Sequence, residues 1–317
     1  MLSVRMLGVL SVSLDGERLP EELGPAGRLL SGYLFEFVGR VHRRERLADQ
    51  FWGHLDPDRA RAALNTALWR LRKLLARDPK SLGGQNLRSY GSEVVLEPAS
   101  WLTIDTHRFE AAVKEVLDPR SSQDGFARLA VLEAAVESYV GPFLDGDDAD
   151  WVLEERERLH SLFVRMASEL VCSYGAAERY DEAIAAARRI IAADPFRESI
   201  FRKLAILLVL NGQRAEALRH YERWSALFRR DLGIDPMPQT LRLIEDIRSG
   251  QICEHLDAVK VQCFSCAGAP AKNAAREPHP QGDRSVRARV SIADQRGPAA
   301  PPPTKIERQA RRSNPLG

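Results

Sequence analysis

The sequence predicts a mixed fold: an α+β segment, then an all-α array of helical repeats, then a basic tail. Three observations predict it. Apolar residues alternate with period two near the N-terminus and again before residue 97, whereas from about Asp105 they recur at helical spacing. Ala183 and Ala217 hold equivalent places in two similar segments 34 residues apart, the tetratricopeptide period. Residues 267–317 combine PHPQGDR, RGPAAPPPT and RQARRSN with few large apolar side chains. Such a composition cannot offset the entropy of ordering and predicts disorder.

The 317 residues suffice for two domains with cores of their own, and 44% hydrophobic with 28% charged residues is ordinary for a globular chain. No apolar stretch approaches the roughly 20 residues that span a bilayer. The N-terminal apolar residues are interrupted by Arg5, Ser11 and Ser13 and run into Asp15-Gly16 without a small-residue cleavage site, unlike a secretory signal. A cytoplasmic location without a membrane partner is expected.

Val4, Met6, Gly8/Val9, Val12 and Leu14 predict short strands, with Asp15-Gly16 as a hairpin turn. Leu29, Leu30, Tyr33, Leu34 and Phe37 predict a helix over 26–37, ended by Gly39. RRERLADQFWG (43–53) predicts a short helix that buries Leu47, Phe51 and Trp52. The strongest helix of this region lies in 54–79, with Asp56 as cap and Pro57 in the first turn; Leu64, Leu68, Leu71 and Leu75 form its buried stripe. Asn86–Glu97 alternates again and predicts a second hairpin. Helices follow at 105–118, 124–140, 149–175, 180–193, 196–211, 214–231 and 238–249.

Charge is distributed unevenly around a net +2. Residues 40–90 carry twelve Lys/Arg against five Asp/Glu, residues 101–250 carry 20 against 26, and residues 251–317 carry 11 against 6. A basic segment beside an acidic body fits a nucleic-acid reader joined to another module. In a helix-turn-helix reader one helix enters the major groove, a second braces it, and cations follow the phosphates. Helix 57–77 meets those needs. Asn65 and Thr66 can reach base edges, Arg70 can read guanine or hold a phosphate, and Arg59, Arg61, Arg72 and Lys73 suit phosphates.

GRVHRRERLADQFW, DPDRARAALNTALWRLRKLL and LRSYGSEVVL resemble the winged-helix domain of OmpR/PhoB-type effectors, in the version of the SARP (antibiotic regulatory protein) activators. GPFLDGDDADWVLEERERL, RYDEAIAAARRIIAADPFRE and GQRAEALRHYERWSALFRRDLGIDP resemble the bacterial transcriptional activator domain that follows it there. The resemblance implies a winged helix-turn-helix DNA-binding domain over 1–100, a tetratricopeptide-like activator domain over 101–250, and the disordered basic tail over 251–317. It implies a transcriptional activator that binds repeated half-sites in double-stranded DNA and recruits RNA polymerase holoenzyme. The helical domain would support a homodimer or contacts to the transcription machinery. The recognition helix falls at Pro57–Arg77, the wing at Leu87–Leu96, and Gly53–Asp58 matches the loop that faces RNA polymerase. Two positions depart from the family: the wing's usual Gly-Tyr-Arg is replaced by Gly91-Ser92-Glu93, which leaves Arg88 as its DNA candidate, and Ala62 and Ala63 stand where the family is more basic.

The alternative is a protein-interaction scaffold whose winged helix contacts protein rather than DNA. An enzyme is not expected. Asp147, Asp148, Asp150, Glu154 and Glu155 cluster where carboxylates favour a helix N-terminus, and no catalytic arrangement converges on them. No Walker A loop occurs, so no nucleotide cofactor is expected. Cys172 reads as a core residue. Cys253, His255, Cys263 and Cys266 are zinc ligand types, but one CxxC in an apolar-poor segment does not predict a metal.

Overall fold

Alternation in the first fourteen residues builds β1 (Leu2–Arg5) and β2 (Ser11–Leu14), antiparallel with Val4 opposite Val12. Asp15 and Gly16 both take positive φ, 48° and 92°, as a two-residue hairpin requires, and lead into β3 (Glu17–Arg18). Asp15 has a short polar side chain that tolerates this region, and glycine has no Cβ to clash.

In this computed structural model residues 1–20, 22–81, 84–118 and 125–251 are described. They fall within one compact unit, Met1–Pro270; the second unit, Ala271–Gly317, lies outside the described residues. So do the expected tail and Cys253, His255, Cys263 and Cys266.

Three helices follow the first hairpin: α1 (Pro25–Glu36), α2 (Arg44–Trp52) and α3 (Pro57–Leu75). In α3 the Asp56 carboxylate accepts the Arg59 backbone N–H at 3.1 Å, and Pro57 occupies the first turn, where no N–H is required. Leu64, Leu68, Leu71 and Leu75 are all buried, as their spacing predicts. A second sheet, in the order β4-β6-β5, joins β4 (His42–Arg43), β5 (Leu87–Tyr90) and β6 (Glu93–Leu96). Gly91 makes its turn at φ 57°.

Two strands were not foreseen: the short β4, whose Arg43 was expected to begin the 43–53 helix, and β7 (Leu102–Ile104). β7 runs parallel to β1, with Leu2 opposite Leu102 and Val4 opposite Ile104, and completes the sheet order β3-β2-β1-β7. Three residues are too few to display a period, and their partner lies about a hundred residues earlier in the chain. The expected boundary at residue 100 thus falls just before a strand of the N-terminal sheet.

The remaining elements are α4 (Asp105–Leu117), α5 (Gly125–Ser138), α6 (Asp150–Ala176), α7 (Tyr180–Ala193), α8 (Glu198–Leu210), α9 (Arg214–Leu232) and α10 (Pro238–Ser249). Ala183 and Ala217 are fully buried. Phe201 of α8 stacks on Trp224 of α9 at 4.2 Å, and the Trp224 indole N–H donates to the Pro195 carbonyl at 2.7 Å. Ala217 has no exposed surface into which a larger side chain could turn. Ala217→Trp is therefore expected to destabilise this array by roughly 1–3 kcal/mol through overpacking; a urea midpoint equal to wild type would contradict it. Cys172 is buried, and its Sγ lies 2.8 Å from Lys203 Nζ.

The seam between the sheet and the helices is dense. Asp105 at the start of α4 accepts the backbone N–H groups of Met6 (2.8 Å), Leu7 (2.9 Å) and Thr106 (2.9 Å). Leu7 and Gly8 bridge to Phe143, and the Leu144 N–H donates to the Met6 carbonyl at 2.9 Å. The Leu144 side chain lies over Gly32 of α1, where an added Cβ would come within 3.0 Å of it. Arg156 holds this loop by donating to the carbonyls of Phe143 (2.9 Å), Leu144 (3.0 Å) and Asp147 (2.6 Å). Trp151 of α6 packs edge-on to Tyr33 of α1 at 5.1 Å. Of the acidic cluster, Asp148 pairs with Arg156 at 3.6 Å and Glu155 pairs with Arg158.

Candidate nucleic-acid interface

Burial of the leucine stripe fixes which face α3 presents. Arg59, Arg61, Ala62, Asn65, Thr66, Trp69, Arg70 and Lys73 are left exposed along its length. The β5–β6 hairpin stands beside it, with Ser89, Tyr90, Gly91, Ser92 and Glu93 exposed at its tip. Cations thus line a helix whose other side is anchored.

At the start of α3, Arg59 pairs with Asp56 at 3.2 Å and Arg61 with Asp58 at 2.6 Å. Exposed pairs of this kind contribute at most about 1 kcal/mol, so either guanidinium can exchange its partner for a phosphate. The Thr66 hydroxyl donates to the Ala62 carbonyl at 3.0 Å and keeps its acceptor lone pairs outward. Arg70 and Lys73 make no ion pair among the described residues. Lys73 Nζ lies 5.6 Å from the centre of the Trp69 ring.

Asn65 is engaged by a residue the sequence reading did not single out. Arg44, the first residue of α2, donates to Asn65 Oδ1 and to Ser89 Oγ (3.3 Å), and its backbone N–H donates to the Ser92 carbonyl at 2.8 Å. It ties both helices to the hairpin. The signal was available in the RRER run, but which of those arginines turns inward depends on β4 pairing with β6, and that register is set by tertiary structure.

Arg72 departs from its expected phosphate role. It is half-buried, and its Nη2 donates to the Leu87 carbonyl at 2.8 Å. Gly84 packs so closely on it that a Cβ there would lie 2.5 Å from the Arg72 carbonyl oxygen. Its place on the flank of α3 lets the long side chain reach inward, so it positions the hairpin. Arg88 sits on that hairpin, 3.0 Å from Glu97 Oε2 and donating to the Tyr90 hydroxyl at 2.9 Å. The Tyr90 hydroxyl, and then Glu97, hold its guanidinium in the charged form.

A shallow cleft of about 230 Å³ opens beside the second half of α3, lined by Trp69, Arg70, Lys73 and Arg77 on one side and Pro20 and Leu23 on the other. Trp69 also escaped the sequence reading, because its apolar type hides it among core residues. Among the described residues, Glu36, Glu110 and Glu155 are brought together near the seam, with Arg158 between them. No described helix is long and apolar enough to cross a membrane.

Residues 104–248 match the bacterial transcriptional activator domain. The regulatory protein AfsR of Streptomyces griseus is 30% identical over 235 residues, which cover 73% of this chain and 23% of AfsR. The transcriptional regulatory protein MoaR1 of Mycobacterium tuberculosis is 28% identical over 258 residues, covering 75% of this chain and 76% of MoaR1. Among solved structures, Mycobacterium tuberculosis EmbR in complex with a low-affinity phosphopeptide superposes with a TM-score of 0.61 at 25% identity. That match covers 83% of this chain and 69% of the EmbR chain. These relatives are regulatory proteins rather than enzymes, and the α4–α10 array is the part that the family description covers. Residues 104–248 are thus similar to a bacterial transcriptional activator domain, and the chain resembles SARP-like transcriptional regulators.

Proposed function

We propose that the protein is a sequence-specific DNA-binding transcriptional activator of the cytoplasm. In this reading α2, α3 and the β5–β6 hairpin form a winged helix-turn-helix over residues 1–100, with α3 in the major groove and the hairpin as the wing. The activator domain over 101–250 holds two copies on repeated half-sites, as a homodimer, and recruits RNA polymerase holoenzyme. One observation carries the DNA reading: α3 is anchored by four buried leucines, while Thr66, Arg70 and Lys73 share its outward face without an ion pair to any described residue. Arg59, Arg61, Asn65 and Arg88 extend that face on either side.

Full-length protein is expected to bind duplex DNA with an affinity that falls steeply as salt rises, because each neutralised phosphate releases counterions. Thr66→Ala or Arg70→Ala should lose about 1–3 kcal/mol of discrimination between a selected operator and random duplex. Lys73→Ala should weaken every duplex alike and reduce the salt slope by about one. Fluorescence anisotropy across a salt series reads both. Absence of binding at low salt, or binding indifferent to salt, overturns the reading.

A further inference from the structure

We infer that Trp69 and the cleft beside it form a docking site for the sugar–phosphate backbone of duplex DNA. The inference rests on the DNA-binding reading of α3 and extends it to a residue of a different chemical kind. Trp69 lies three residues after Thr66 and four before Lys73, so it shares their face of the helix. It is 58% exposed, whereas Trp52, Trp101 and Trp224 are at most 8% exposed and Trp151 is enclosed by Tyr33, Phe37 and Phe143. An indole left in water forgoes its large apolar burial unless a partner covers it.

The surroundings specify that partner. Arg70, Lys73 and Arg77 line the same cleft as the indole, and among the described residues Glu22 is the carboxylate that shares it. Cations around an apolar plate match a polymer that alternates phosphates with deoxyribose, the phosphates meeting the cations and the sugar C–H edge meeting the ring. At about 230 Å³ the cleft is below the usual size of a small-molecule pocket. It runs beside the second half of α3 from Trp69 to Arg77, as an edge along an extended chain requires. Lys73 above the indole keeps an ammonium within reach of the same strand.

The test uses full-length protein and a random-sequence duplex at low salt. Because Trp52, Trp101 and Trp224 are buried and Trp151 is only partly exposed, acrylamide quenching reports chiefly on Trp69. Duplex addition is expected to lower that quenching and shift the emission, and Trp69→Phe should abolish both changes while still binding. Trp69→Ala should weaken binding roughly five- to tenfold with the salt slope unchanged, since no charge is lost. Wild-type binding that leaves the tryptophan signal unchanged, with equal affinity in Trp69→Ala, overturns this site alone and leaves the DNA reading standing. A wild-type protein that binds no duplex overturns both.

Discussion

Replacing Asp105 with alanine is expected to destabilise the protein by about 3 kcal/mol, a fall in Tm of roughly 6–12 °C for a unit of this size. Its two carboxylate oxygens accept three backbone N–H groups, from Met6, Leu7 and Thr106. Burial pushes this carboxyl above its ordinary value, and the same three donors pull against that shift. Alanine would leave Met6 and Leu7 N–H without an acceptor where the chain passes from β1 toward the Phe143 loop. Asparagine would be little better, because its NH₂ group would confront those donors. Thermal and urea denaturation of both variants measures the effect, and a loss below about 1 kcal/mol would show that the N–H groups find other acceptors.

Glu36→Gln is expected to act in the opposite direction and to depend on pH. The Glu36 side chain is 3% exposed at the end of α1, accepts the Thr106 hydroxyl at 2.7 Å, and lies 3.6 Å from Arg158. Burial is the main cause of a carboxyl pushed up to about 8, opposed by Thr106 and reinforced by Glu155 and Glu110, which share the same arginine. Its folded value lies above the ordinary 4.5, so folding retains a proton between the two. The contribution to stability is full below the ordinary value and is lost as pH rises through about 8, each unit counting about 1.4 kcal/mol. Glutamine keeps an acceptor for Thr106 and removes the charge. Its advantage over wild type should grow from about pH 5 to about pH 8 and then level off. Tm values for both proteins across that range check this, and a difference that stays flat would mean Arg158 keeps Glu36 ionised throughout.

Periodicity made the helices legible because each buries one stripe. Leu64, Leu68, Leu71 and Leu75 locate α3 and its outward face without any tertiary information. The same logic misplaced Arg72 and overlooked Trp69. An angle on a helical projection says where a Cβ points, and Arg72 has enough length to turn back to the Leu87 carbonyl. Trp69 has the residue type of a core position on an exposed face, and type dominates a sequence reading. β7 was illegible for another reason. Its three residues carry no pattern, and their strand partner is the first strand of the chain.

The seam also bears on how such chains exchange parts. A crossover that replaced everything after residue 100 with the helices of a relative would discard β7, the Asp105 carboxylate under Met6 and Leu7, and the Leu144 side chain seated on Gly32. The incoming array would have to supply all three in register with a foreign β1 and α1. Inheritance of this architecture is therefore expected to be linked: lineages that swap α2 and α3 should carry the first eight residues and the 143–147 loop as a matched set. A workable laboratory chimera would cut inside the α3 region and its hairpin, leaving β1, β7 and the end of α1 with the helices they already fit.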